Sequence, residues 1–237
     1  MRGFACESVR NEPFSGPEAR TFKGRIMILD FSSPGTYSDD MEKRTVEFLF
    51  EAGMLKKTPR TGYQFLGSGG ESVADHSFRT AVIGYVLASL EPDADRNKVV
   101  QMCLFHDFAE ARTGDHNYMN KKYTKVDEDT AIEHSVKGLD FADELVNLTR
   151  EFNTCDTVEA RLSKDADQLD LILELKQQQD LGNPNAKDWI FFAIKRLVTK
   201  TARELAEKIL TAHSTDWWFD KKTDWWVNGQ GNQQEKE

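Results

Sequence analysis

The chain has 237 residues, 39% of them apolar and 30% charged, with a formal net charge of −9. That is the balance of a soluble globular protein, long enough for one large domain or a domain with a tail, and no apolar run approaches the roughly 18 residues of a membrane span. The acidic charge disfavours a duplex nucleic acid, which calls for a basic surface, but a small phosphorylated molecule needs only a few local cations.

Residues 1–20 carry Arg2 and Arg10 with no apolar stretch behind them, so they do not read as a secretory signal. Residues 1–38 are expected to be a flexible extension, with Met27 or Met41 as places where the ordered part can open. Asp39 and Asp40 can cap a helix over residues 41–52 with Val46, Leu49 and Phe50 inside, which Gly53 stops. Residues 56–70, rich in Gly, Thr and Lys/Arg, read as a loop. Ser72, or Glu71 before it, opens a helix that runs to Leu90, ahead of Pro92. A third helix is predicted over residues 95–112, where Val99, Met102/Cys103, His106 and Glu110 share one stripe. Thr113-Gly114-Asp115 ends it, and residues 116–124 form a polar loop.

Helices follow over residues 126–139, on to about residue 152, over 157–179 and over 185–210. Beyond them Asp216-Trp217-Trp218 and Asp224-Trp225-Trp226 repeat at a spacing of eight; these pairs are expected to pack back on the bundle or to form a subunit contact. Nothing alternates as a strand does. The predicted fold is all-α, a compact helical bundle over residues 39–212 followed by a Trp-rich tail over residues 213–237. Cys6, Cys103 and Cys155 form no Cys-x-x-Cys pair, so neither a zinc ribbon nor a disulfide framework is suggested, and a reducing cytoplasm fits; Cys103 reads as core.

His76, the pair His106-Asp107, and Asp167 fall in separate helical segments. Two imidazoles and two carboxylates are a ligand set for one divalent cation, with positions left for water and substrate. Neighbours i and i+1 on a helix point about 100° apart, so His106 and Asp107 can share an ion only in the cleft between their two directions. The same residues also fit satisfied core histidines and a surface carboxylate, and spacing alone leaves both readings open.

Glu71-Ser72-Val73-Ala74-Asp75-His76-Ser77, His106-Asp107-Phe108-Ala109-Glu110-Ala111-Arg112-Thr113-Gly114-Asp115 and Lys164-Asp165-Ala166-Asp167-Gln168-Leu169 closely resemble the HD-domain phosphohydrolases. With Pro59-Arg60-Thr61-Gly62-Tyr63 the resemblance is to the 5′-deoxynucleotidase branch, in order over roughly residues 41–180. It implies one divalent metal ion (Mn, Co, Fe, Ni or Zn) held by His76, His106, Asp107 and Asp167. A helical wheel places Asp165 nearer the apolar arc of Leu162, Leu169 and Ile172, whereas the family register selects Asp167. Glu110 and Asp115 are implied as the catalytic pair, and Arg60 as a phosphate contact.

The expected reaction is hydrolysis of 5′-(deoxy)nucleoside monophosphates to nucleoside and phosphate. Such a monoester needs charge neutralisation on phosphorus, a positioned water and an acid for the leaving alkoxide. Glu110 is assigned to positioning of water or substrate and Asp115 to proton transfer. Lys121 or Lys122 supplies a second cation, Ser72 caps its helix, and Tyr63 and Tyr118 are candidates to flank a base or sugar. His116 and His134 lie where two-metal relatives place extra ligands, but match no dinuclear spacing. The alternatives are other small phosphates, nucleoside triphosphates or cyclic nucleotides, or an inactive nucleotide-binding relative, against which the intact Glu110 and Asp115 argue. The expected partner is a small nucleotide, with no polymeric nucleic acid and no membrane. Family analogy adds a homodimer.

Overall fold

The computed structural model describes residues 39–220, 222–223 and 225–229. The extension expected over residues 1–38 lies outside them. The described residues contain helices and no named strand, with a single isolated bridge between Pro59 and Ser72. None of these helices is long and apolar enough to cross a membrane.

The helices are α1 (Asp39–Ala52), α2 (Tyr63–Leu66), α3 (Val73–Leu90), α4 (Arg96–Phe105), α5 (Glu110–Thr113), α6 (Tyr118–Lys121), α7 (Glu128–Val136), α8 (Ala142–Thr154), α9 (Val158–Asp180), α10 (Ala186–Ile194), α11 (Lys200–Thr211) and α12 (Trp225–Asn228), with a 3-10 turn over Gly53–Lys56. α9 is the hub, packed against α3, α4, α8, α10 and α11. Its start is set by Thr157, whose hydroxyl accepts from the Ala160 N–H, and its fully buried Leu162, Ala166, Leu169 and Ile172 form one face of the larger core. A second core joins α1, α4, α7 and α8 through Phe48, Met102, Ile132, Val136 and Phe152.

Two local features set the distance between α3 and α4. Ser72 and Asp75 form a reciprocal capping box that fixes where α3 begins. Gly84 lets α4 come close: a Cβ there would stand 2.6 Å from the Cys103 sulfur. Cys103 is accordingly core, as its helix face predicts.

Three expected helices differ from the structure. The helix predicted over residues 95–112 stops at Phe105; residues 106–109 form a turn, and α5 begins at Glu110. Here the N–H groups of Phe108, Glu110, Ala111 and Arg112 donate three residues back rather than four, tightening the chain. The helix predicted over residues 185–210 is two helices, because the Asp165 carboxylate takes the Val198 and Thr199 N–H groups, each at 2.7 Å, and the Thr199 hydroxyl then caps α11. In α1 it is Phe48 that is buried, stacked on Phe108, while Val46, Leu49 and Phe50 are exposed. The predicted loops also hold short helices, α2 within residues 56–70 and α6 within 116–124, the latter capped by Asn117.

Candidate metal centre

The tightened turn after α4 decides the site. There His106 and Asp107 face one cleft, the position between their two directions in which neighbours can share an ion. His106 Nε2 lies 3.1 Å from Asp107 Oδ2 and 3.2 Å from His76 Nε2. His76 Nε2 in turn lies 3.3 Å from Asp167 Oδ1 and 3.5 Å from Asp107 Oδ2. Helices α3 and α9 and the turn after α4 thus bring four side chains together. Asp165, the alternative on the wheel, is fully buried and committed to the backbone of residues 198 and 199.

The ring orientations are fixed from behind. His106 Nδ1 donates to the Cys103 carbonyl at 2.8 Å, and His76 Nδ1 faces Asp170 Oδ2 at 2.6 Å. With a proton on each Nδ1, both Nε2 lone pairs point at each other across 3.2 Å. Two lone pairs face each other at that distance only with positive charge between them. Burial alone would lower the His76 pKa, but its bonds to Asp167 and Asp170 outweigh burial and raise it to about 10. The pocket draws a cation, even if only a proton, onto a buried imidazole. Metal–nitrogen and metal–oxygen bonds of about 2.1 Å at tetrahedral or octahedral angles put neighbouring ligand atoms roughly 3.0–3.4 Å apart, close to the 3.1–3.5 Å found here. His76, His106 and Asp167 therefore form a group able to hold a metal ion, and Asp107 borders it.

Around this point stand the remaining polar residues. Arg60 reaches over from the loop before α2, its Nη1 3.2 Å from Asp107 Oδ2 and 3.5 Å from Asp115 Oδ1. Burial works against the guanidinium charge, but Asp107, Asp167 and Asp115 hold it firmly protonated. Burial likewise opposes the Asp107 charge, yet His106 and Arg60 keep that carboxyl well below its usual range. Glu110 is the opposite case: burial, then the charges of Asp107 and Asp115, push it up to about 9, and its Oε2 is buried with no hydrogen-bond partner.

A family profile described as HD domain matches residues 52–210. The chain belongs to the HD domain family. Its HD domain is 32% identical to human 5′-deoxynucleotidase HDDC2 over 155 residues, which cover 63% of this chain and 75% of that protein. The Dictyostelium discoideum 5′-deoxynucleotidase HDDC2 is 33% identical over 154 residues, covering 58% and 81%. Among solved structures, a conserved hypothetical protein from Pyrococcus furiosus superposes with a TM-score of 0.61 at 30% identity, over 70% of this chain and 99% of that one.

The other predicted residues are less central in this HD domain. Lys121 and Lys122 are exposed; Lys121 stands close enough to Glu110 for its charge to act there, while Lys122 lies over the Tyr118 ring at 5.1 Å. Tyr118 is exposed, and the Tyr63 hydroxyl is engaged by Glu174 at 2.8 Å. His134 is exposed and His116 Nε2 faces the Thr113 carbonyl; neither joins a metal-holding group among the described residues. Trp218, Trp225 and Trp226 pack on one another and on Phe219.

Three residues gained no role from the sequence. Thr61 anchors Asp115, Asp170 backs His76, and Lys164 lies one turn before Asp167 with its Nζ 3.7 Å from the Phe152 ring centre. Thr61 and Lys164 sit inside the quoted motifs, and Asp170 lies three residues past Asp167. That i, i+3 spacing on a buried helix face was the available signal.

Proposed function

We propose that this HD domain is a metal-dependent phosphomonoesterase that hydrolyses 5′-deoxynucleoside monophosphates to nucleoside and phosphate. The observation that carries it is the facing pair of Nε2 atoms of His76 and His106, flanked by Asp107 and Asp167, with Arg60 and Glu110 on the rim. The relatives named 5′-deoxynucleotidase supply the substrate class. His76, His106, Asp107 and Asp167 are the assigned ligands of a single divalent ion. When bound, such an ion lowers the pKa of water and neutralises charge on a phosphoryl oxygen.

The chain's own residues do the rest. Arg60 is assigned to hold a phosphoryl oxygen with a guanidinium that Asp107 and Asp115 already orient. As water attacks phosphorus, the P–O5′ bond breaks and the leaving alkoxide must take a proton. In the metal-free chain burial and the charges of Asp107 and Asp115 favour the protonated form of Glu110, and we assign it that transfer. Asp115 is gripped by donors on both oxygens, Thr61 on one and Arg60 on the other, and is assigned to orienting the water. The two roles are thus exchanged relative to the sequence expectation.

The apolar stripe of Phe78, Val82, Tyr85 and Val86 along α3, all exposed, supports the homodimer expected from the family. Sedimentation at micromolar concentration should give twice the chain mass. The catalytic reading is tested by phosphate release from 5′-mono-, di- and triphosphates after metal stripping and reloading with Mn, Co, Fe, Ni or Zn. Monophosphates are expected to turn over, deoxy forms fastest; release from triphosphates alone would refute the substrate assignment.

A further inference from the structure

Behind His76, away from the cleft, lies a second charged network, built around the buried Asp170, with no part in the proposed chemistry. Asp170, fully buried on α9, places Oδ2 2.6 Å from His76 Nδ1 and accepts Arg79 Nε on Oδ1 at 2.5 Å. Arg79 also donates to the Asp170 carbonyl at 3.3 Å and pairs with Glu174 at 2.5 Å. Glu174 is bound by the Tyr63 hydroxyl, and Glu71 lies between the two arginines, 4.0 Å from Arg60 and 3.9 Å from Arg79. On α9 the acidic residues Asp167, Asp170 and Glu174 follow an i, i+3, i+7 pattern, one stripe facing α3. On α3 His76 and Arg79 are one turn apart.

Burying the Asp170 carboxylate is costly, and a pair buried for stability alone is often no better than an apolar replacement. The cluster of Glu71, His76 and Asp170 could in principle hold a cation itself. Arg79 decides against it: an ion there would sit beside a guanidinium already bound to Asp170. The network instead has the form of a support that sets a histidine's tautomer.

We propose that Asp170, locked in place by Arg79, is a positioning residue that keeps the proton of His76 on Nδ1 and so presents Nε2 as a metal ligand. The inference rests on the reading of His76 as a ligand. Carboxylate partners of this kind raise the basicity of the imidazole, and their loss typically costs about 10–100-fold in metal affinity. Asp170→Asn keeps the shape but sets an amide NH2 against either the imidazole N–H or the guanidinium. Arg79→Met leaves Asp170 in place but unheld.

The test is competition between the full-length protein and a chromophoric chelator for cobalt, with melting of the metal-free protein measured alongside. The wild type should bind one equivalent. Asp170→Asn should bind cobalt about 10–100-fold more weakly, and Arg79→Met several-fold more weakly. Long-range ¹H–¹⁵N NMR of the zinc-loaded wild type should place the His76 proton on Nδ1. Unchanged cobalt affinity in both variants, whatever their melting temperatures, would show a purely structural network and overturn the inference. Should Asp170→Asn not fold, Arg79→Met decides alone. A wild type that binds no cobalt would overturn the metal reading itself; two equivalents lost singly in Asp170→Asn would make the network a second site.

Discussion

Thr61 grips Asp115 twice on one oxygen: its backbone N–H donates to Oδ2 at 2.5 Å and its hydroxyl lies 2.8 Å from the same atom. The hydroxyl also accepts from the Asn117 backbone and side chain, each at 3.1 Å, so it ties the loop before α2 to the loop after α5. Arg60 and Asp115 thereby belong to one rigid rim.

Thr61→Val keeps the volume and the backbone donor but removes the hydroxyl. A hydrogen bond to a charged acceptor contributes about 1.5–3 kcal/mol, so kcat should fall roughly 10- to 100-fold while metal affinity holds. Steady-state kinetics beside cobalt titration separates the two; unchanged kcat would show that the Thr61 hydroxyl is not needed to hold Asp115.

Asp165 and Asp167 make a second pair that can be told apart. Asp165→Asn can accept only one of the two N–H bonds from Val198 and Thr199, leaving a buried donor unpaired at about 1–3 kcal/mol. Thermal melting should shift down by several degrees, with metal content unaltered. Asp167→Asn should do the reverse, abolishing metal binding with little loss of melting temperature. Metal loss in Asp165→Asn at full folding would contradict the placement of these carboxylates.

Sequence and structure part company where distant contacts act. The cap at Ser72 and the helix starts near residues 95 and 157 were legible because each depends only on the next three residues. The all-α fold and the Asp167 choice were legible too, the latter from family register rather than from the wheel. The break after Phe105 was not, since the stripe Val99, His106, Glu110 continues smoothly through it. The break before α11 depends on a carboxylate more than thirty residues away. Which face of α1 is buried depends on Phe108 and Phe141, against which Phe48 packs. A buried Asp170 likewise looks like any helix carboxylate until Arg79 and His76 are seen beside it.

Lys164 carries a half-buried cation with no ion pair among the described residues. Burial lowers its pKa, while Asp167 and Asp107 pull the other way, which places its charge on the rim of the site. Its contact with Phe152, whose ring lies 4.9 Å from that of His106, holds it there through a cation–π interaction. Lys164 is therefore expected to pair with the substrate's phosphate. Lys164→Met, which keeps the stem, should raise KM for a nucleoside monophosphate about tenfold or more without weakening cobalt binding; an unchanged KM would leave Lys164 a packing residue.

Glu110 gives the pH dependence its sign. Its carboxyl is raised from 4.5 to about 9 in the fold, so between those values the folded chain holds a proton that the unfolded chain has released. Its contribution to stability is therefore fully present below about pH 4.5 and is lost as pH rises toward 9. Glu110→Gln cannot ionise, so the metal-free variant should melt higher than wild type at pH 8, by several degrees, and no differently at pH 4. In the metal-loaded enzyme the same change should cut kcat on a nucleoside monophosphate by about 10²–10⁴-fold. It should spare p-nitrophenyl phosphate, whose leaving group needs no proton. Equal losses on both substrates would assign Glu110 to the water and return proton transfer to Asp115.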